Sequence, residues 1–213
     1  MVPPAGKLTD NGLMAVLALA VASGQTDQIN LPRRTRQDPG ETSMSTNAKE
    51  QRVTREGSQP ASAEQQLKEL GIRLPVPPEP FGTYAEAVQT GNLLFLTGML
   101  PTEGHAAKFI GRLGAELDVE TGRQAGHLAA LNALAVARQH LGSLDKVTRI
   151  VRLGVSVATV GDFRDHPKVA DGASGLLQDV FGKEKNPSRL VYGVASLPLG
   201  TPVELEVIFE VAS

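Results

Sequence analysis

The sequence predicts an α+β domain in which a single β-sheet carries both of its main helices on one side. Between residues 84 and 211, the patterns follow in the order strand pair, helix, strand, helix, strand pair. This layout is typical of a sheet covered by helices on one face. The last strand pattern alternates strictly between apolar and polar residues, as a strand does when only one of its faces is buried.

The composition places this domain in the C-terminal part of the 213-residue chain. All eight aromatic residues lie at position 81 or later, and the residues before it are rich in Ser, Thr, Gln, Gly and Pro. A segment with so little large apolar surface does not offset the entropy lost on ordering its backbone. We therefore expect residues 1–60 to be a disordered N-terminal tail and residues 61–213 to form the domain.

Three interpretations of the N-terminal segment remain open. Leu13–Ala22 is a short apolar run ending in small residues, as in a targeting signal, but Lys7 is the only basic residue before it. Alternatively, the chain starts at Met44, or the segment is a genuine tail. No run in the sequence approaches the ~18 apolar residues that span a membrane. We expect a cytoplasmic protein with no membrane partner, and targeting by the apolar run is the alternative.

The first elements of the domain are a short helix and a β-hairpin. Ala63–Leu70 has a helical pattern, and Gly71 follows it where a C-terminal cap belongs. Tyr84–Val88 and Leu93–Leu96 are predicted strands, and Gly91-Asn92 between them predicts the turn.

Two longer helices follow. Thr121–Gln124 has the form of a capping box, and the helical pattern after it continues to Gly142. Asp165 with Pro167 predicts the start of the second helix, which ends at Gly182.

Two glycines inside the second helix, Gly172 and Gly175, each cost about 1 kcal/mol relative to alanine. Their presence predicts that another element packs closely against this part of the helix.

The remaining strand patterns cover Val147–Val157, Arg189–Val194 and Val203–Val211. In the last of these, the odd-numbered residues form an apolar face, and Ile208 lies among glutamates on the opposite face. A sheet with helices on one side leaves its other face uncovered. We expect Ile208 and Val191 on that uncovered face.

The sequence excludes several kinds of site. It contains no cysteine, which excludes disulfides, thiolate zinc sites, iron–sulfur clusters and a cysteine nucleophile. The four histidines lack the spacing of a zinc site, and the sequence has neither a glycine-rich phosphate loop nor a serine-hydrolase elbow. We therefore expect no metal site.

Arg189 and Glu204 are the candidate functional residues. Arg189 begins a strand whose face continues as Val191 and Gly193, and its planar guanidinium suits bidentate binding of a carboxylate. Glu204 begins the next strand across a turn, so we expect the two side chains near each other. The pattern leaves a second interpretation open, a cross-strand salt bridge at the rim of the sheet.

The motifs of the domain resemble the YjgF/RidA family, also called endoribonuclease L-PSP or chorismate-mutase-like proteins. The resemblance runs from about residue 66 to 211, and Leu94–Gly98, Arg149–Leu153, Pro167–Leu177, Arg189 and Gly193–Val211 carry it. It implies a chorismate-mutase-like fold with a single mixed sheet and two helices packed on one face. It also implies a homotrimer with a cleft at each subunit interface, and no metal or organic cofactor.

The resemblance implies an activity as well. Characterised RidA proteins hydrolyse reactive imines and enamines, such as 2-aminoacrylate, to a 2-oxo acid and ammonia. By position in the motifs, Arg189 is implied to grip the substrate carboxylate, and Glu204 to orient water and transfer protons. Tyr84 is implied to lie against the substrate, and Thr97 and Gly98 to line the pocket.

Three residues depart from the family pattern. Met99 stands where glutamine is frequent, and Leu190 removes a hydroxyl that serine commonly supplies near the carboxylate site. Asp171 replaces the usual asparagine, and its charge would repel an anionic substrate if it faced the cleft.

Two other functions remain open, an endoribonuclease, as the family label suggests, and a non-catalytic binder of small carboxylate metabolites. Residues 81–213 carry 12 basic and 14 acidic residues, with no stripe of Lys or Arg. Because RNA binding draws much of its affinity from phosphate neutralisation, this balance argues against a nucleic-acid partner. The expected partners are a small imine or carboxylate ligand and further copies of the chain.

Overall fold

The computed structural model describes residues 61–212. The expected tail, the apolar run and the start at Met44 lie outside the described residues. The described part contains, in chain order, α1 (Ala63–Glu69), β1 (Ala87–Thr90), β2 (Leu93–Leu96), β3 (Thr102–Glu103), β4 (Ala106–Ala107), α2 (Val119–Leu141), β5 (Val147–Ala158), α3 (His166–Phe181), β6 (Ser188–Val194) and β7 (Val203–Val211).

Five of these strands form one mixed sheet in the spatial order β1-β2-β7-β5-β6. Only β5 and β6 pair in parallel, and α3 is the crossover between them. The other pairs in this sheet are antiparallel, while β3 and β4 form a separate two-stranded ribbon. The predicted α+β fold with a single mixed sheet is confirmed.

One face of the sheet is covered by α2 and α3, and α1 packs against α3. The odd-numbered residues of β7 are buried there, together with Leu153, Val155 and Val157 of β5. Among residues 61–212, no helix is long and apolar enough to cross a membrane.

The other face of the sheet is open in the single chain. Ile208 lies on it beside Phe95, as the register of β7 with β2 shows. Phe95, Leu190 and Tyr192 remain 37–46% exposed on this side. The prediction that Val191 shares this face is wrong, because Val191 pairs in register with the buried Val155 and packs on the helix side.

The boundaries of most elements follow the sequence patterns, with two corrections. The N-cap of α2 is Asp118, three residues before the predicted capping box, and its Oδ1 accepts a hydrogen bond of 2.8 Å from the Thr121 N–H. This bond lowers the pKa of Asp118, which also favours a negative charge at the helix N-terminus. The first hairpin strand starts at Ala87, so Tyr84 lies in the preceding loop.

The close packing predicted for Gly172 is confirmed. A β-carbon at Gly172 would overlap the carbonyl oxygen of Arg123, so α2 and α3 touch backbone to backbone at this position. The same prediction is wrong for Gly175, which has open space where its β-carbon would lie. Gly175 borders a groove between the two helices instead.

Candidate functional site

The pairing of β2 with β7 brings Gly98 against Glu204. The backbone of Met99, just beyond β2, exchanges hydrogen bonds of 2.8 and 2.9 Å with Leu205. A β-carbon at Gly98 would overlap Oε1 of Glu204, so any other residue at this position would displace the carboxylate. Thr97 is the next residue along the chain. Glu204 and the Thr97-Gly98 pair therefore lie together at one end of the open face.

The Glu204 side chain is half buried, and burial raises the pKa of its carboxyl group above the ordinary value. Within residues 61–212, no side chain or backbone group donates a hydrogen bond to this carboxylate, and no cation pairs with it. A carboxylate in such surroundings accepts a proton more readily than one in water. Glu204 is therefore suited to proton transfer.

Tyr84 lies in the loop that leads to this end of the sheet. Its hydroxyl oxygen accepts a hydrogen bond of 2.9 Å from the Phe81 N–H, and its side chain is exposed. Two residues later, the carbonyl of Glu86 accepts a bond of 2.9 Å from the Thr97 N–H, which ties the loop to the strand end. Burial, and to a lesser extent the charge of Glu79, raises the pKa of Glu86. The motifs gave no signal for Glu86.

Arg189 lies on the opposite side of the sheet from Glu204. The register pairs Arg189 with the buried Leu153 and pairs Glu204 with Ser156, and these two β5 residues face opposite ways. Because β5 lies between β6 and β7, a further strand also separates the two residues. The expected proximity within one chain and the alternative cross-strand salt bridge between them are both wrong.

The partners of Arg189 come from α3 instead. Its Nη1 donates to Oδ1 of Asp171 at 2.6 Å and to Oγ of Ser174 at 2.9 Å. The guanidinium side chain is 28% exposed, because it lies at the edge strand β6. Asp171 and Ser174 are three residues apart and share one face of the helix. This spacing is visible in the sequence, but the sequence does not show that the two side chains bind Arg189.

The other two departures from the family pattern lie in different surroundings. Met99 is buried in the core, so its side chain contributes packing. Leu190 is half exposed and pairs with Gly154, which places it on the open face.

Nothing in the described part of the chain is arranged to hold a metal ion, since no group of three or more His, Asp or Glu side chains converges there.

Comparison with known proteins identifies the family. The model of the family described as "YjgF/chorismate mutase-like, putative endoribonuclease" matches residues 64–211, more than half of the chain. This chain belongs to the YjgF/RidA family. The resemblance seen in the motifs is thereby confirmed, and the family match covers nearly all of the described residues.

Individual YjgF/RidA relatives are similar over most of their own length. Protein TCP17 of Trypanosoma cruzi is 38% identical over 145 residues, which cover 68% of this chain and 91% of that protein. The 2-iminobutanoate/2-iminopropanoate deaminase of Dermatophagoides farinae is 30% identical over 139 residues, with coverage of 64% and 92%. The crystal structure of the protein Atu1372 from Agrobacterium tumefaciens superposes with a TM-score of 0.65 at 36% identity, covering 70% of this chain and 92% of that one.

Proposed function

We propose that this protein hydrolyses reactive imines and enamines of small carboxylic acids to 2-oxo acids and ammonia. Two groups carry the proposal: a half-buried Glu204 carboxylate beside Gly98, which has no partner within residues 61–212, and an Arg189 guanidinium held by α3. The first suits proton transfer, and the second suits a carboxylate. Membership of the YjgF/RidA family, and a relative named as an imine deaminase, support the same reaction.

The proposed reaction needs a substrate held in a fixed orientation and one group that accepts and returns a proton. Arg189 holds the substrate carboxylate while water adds to the adjacent iminium carbon, whose C=N electron pair moves to nitrogen. Glu204 accepts the proton that the water loses. It then returns that proton to the amino group as the C–N bond of the carbinolamine breaks and the hydroxyl proton passes to solvent. The net change is iminium carboxylate plus water to 2-oxo acid anion plus ammonium.

Because the two groups lie on opposite faces of one sheet, the proposed site requires two subunits. Arg189 lies at the edge strand β6, and Glu204 lies on the open face. In the proposed homotrimer, the open face of one subunit packs against the β6 edge of the next. This packing also buries Phe95, Leu190 and Tyr192, which are exposed in the single chain. We place Tyr84, Thr97 and Gly98 in the resulting cleft beside Glu204.

The test is ammonia release from 2-aminoacrylate generated in the assay. We expect Arg189→Lys and Glu204→Gln each to lose at least about 100-fold in kcat/KM, because one removes the forked donor and the other the proton carrier. Arg189→Lys should act mainly on KM, and Glu204→Gln mainly on kcat. Arg138→Lys is the matched control, because the half-exposed Arg138 pairs with Glu64 away from both groups, and it should keep wild-type activity.

The assay also distinguishes the alternative functions. Wild-type rates in both variants would contradict the proposal. Binding of a 2-oxo acid without ammonia release by the wild type would favour the non-catalytic carboxylate binder. Cleavage of RNA by the same preparation, lost on substitution of Arg189 or Glu204, would favour the endoribonuclease.

A further inference from the structure

The Arg189 guanidinium is only partly used by its partners in α3. Its Nη1 donates to both Asp171 and Ser174, which accounts for the two hydrogens on that nitrogen. Within residues 61–212, neither Nη2 nor Nε makes a hydrogen bond. These two nitrogens form one forked edge of the guanidinium, the geometry that binds a carboxylate with two parallel bonds. Asp171 and Ser174 therefore orient the fork without using its two donors.

Asp171 also changes the charge that a ligand encounters. The Asp171 carboxylate balances the charge of Arg189 at 2.6 Å, and about half of the Asp171 side chain is exposed. The carboxylate subsite is thus close to neutral, and Glu204 adds one negative charge to the proposed shared cleft. A ligand with a net negative charge meets repulsion there that a ligand with an internal positive charge does not.

We propose that Asp171 makes this site select ligands by net charge, favouring net-neutral iminium carboxylates over net-anionic 2-oxo acids of the same carbon skeleton. The inference rests on the proposed function, because it assumes that Arg189 binds the ligand carboxylate. The reaction converts a ligand of net charge zero into a product of net charge −1 and ammonium. Asp171 would therefore favour release of the 2-oxo acid and limit inhibition by it.

The chain offers a matched set of variants for this proposal. Asp171→Asn keeps an oxygen acceptor for Nη1 and removes the charge. Asp179→Asn removes the same charge about two turns along the same helix, where Asp179 borders the same groove as Asp171 but forms no hydrogen bond or ion pair with Arg189. Ser174→Ala removes one orienting hydrogen bond without a change of charge.

The experiment measures binding of two probes by calorimetry, 2-oxobutanoate with net charge −1 and 2-aminobutanoate with net charge zero. We expect Asp171→Asn to bind 2-oxobutanoate about five- to tenfold tighter, with less than about a twofold change for 2-aminobutanoate. Asp179→Asn should match the wild type for both probes, and Ser174→Ala should weaken both by the same factor. In the ammonia assay, Asp171→Asn should show correspondingly stronger inhibition by 2-oxobutanoate.

The outcomes separate the inference from the function on which it rests. The inference is overturned if Asp171→Asn changes the affinity for both probes equally or changes neither affinity. It is also overturned if Asp179→Asn raises the affinity for 2-oxobutanoate as much as Asp171→Asn does. In those cases, if Arg189→Lys no longer binds either probe, the proposed role of Arg189 in carboxylate binding still stands. If Arg189→Lys binds both probes as the wild type does, the proposed role of Arg189 fails, and the inference fails with it.

Discussion

Glu204 occupies a position where the fold disfavours its charge. Burial raises the pKa of the folded protein's Glu204 carboxyl above the ordinary value of 4.5. The folded state therefore binds this proton more tightly than the unfolded state does. Its contribution to stability is fully present below the unfolded pKa and is lost as the pH rises through the folded pKa. An ionised Glu204 is thus less favourable at this position than a neutral group would be, as is common at functional sites.

The raised pKa of Glu204 predicts how Glu204→Gln changes stability with pH. Between pH 4 and pH 8, the melting temperature of the variant should rise relative to that of the wild type, because only the wild type loses a proton at a position that favours the neutral carboxyl. At pH 8 the variant should melt about 1–2 °C higher, since glutamine needs no ionisation. Glu184→Gln, at an exposed position, should show no such difference. A melting temperature of Glu204→Gln below that of the wild type at pH 8 would contradict the burial argument.

Among the elements, the pair α2 and α3 controls where the Arg189 partners lie. The two helices touch at Gly172 and Arg123, and Asp171 is the neighbour of Gly172 in α3. Gly126 adds a second close approach, since a β-carbon there would lie 3.3 Å from the carbonyl oxygen of Val169. The small residues in this contact therefore set the distance from α3 to α2, and with it the height of Asp171 and Ser174 above the sheet.

Two alanine substitutions one helical turn apart test this contact. Gly172→Ala forces a methyl group into the Arg123 backbone, so we expect a loss of about 2–3 kcal/mol in the free energy of unfolding. Gly175→Ala points into open space and removes a flexible residue, so it should be neutral or stabilising by up to about 1 kcal/mol. Urea denaturation measures both values. Equal effects of the two substitutions would exclude a specific contact at Gly172.

At the scale of the whole molecule, the sheet separates the proposed machinery between its two sides. Arg189 is fixed on the helix-covered side at one edge, and Glu204 projects from the open face. One chain therefore holds both halves of the proposed site but does not join them. The exposed aromatic and aliphatic side chains of the open face are typical of a surface that another subunit covers.

A mixing experiment tests whether the site is shared between subunits. We expect Arg189→Lys and Glu204→Gln chains each to have little activity alone, and activity to return when they are unfolded together and refolded as mixed trimers. With equal amounts, random assembly gives about a quarter of the sites with both native side chains, and so about a quarter of wild-type activity. Refolding the double variant with the wild type is the control for assembly. If a tag on one variant verifies that mixed trimers form and no activity returns, the two groups do not act in one shared site, contrary to the proposal.

The sequence by itself determined the features that depend on local interactions. Gly91-Asn92 predicted the hairpin turn, and Gly142 predicted the end of α2, because these residues favour their backbone conformations wherever they occur. The alternation in Val203–Val211 predicted both the strand and its buried face. The start of α2 was predicted wrongly because Asp118 and Thr121 are both good N-caps, and local preference does not choose between them.

Only the tertiary structure decided which charged groups meet. Arg189 and Glu204 are separated by fifteen positions in the chain, but β5 lies between their strands and the register of each strand with β5 places the two side chains on opposite faces. The pairing of β2 with β7 brought Gly98 to Glu204, and the crossover of α3 brought Asp171 to Arg189. These contacts depend on strand order and register across the whole sheet. Residue type and spacing limit the candidates for such contacts, while long-range packing selects among them.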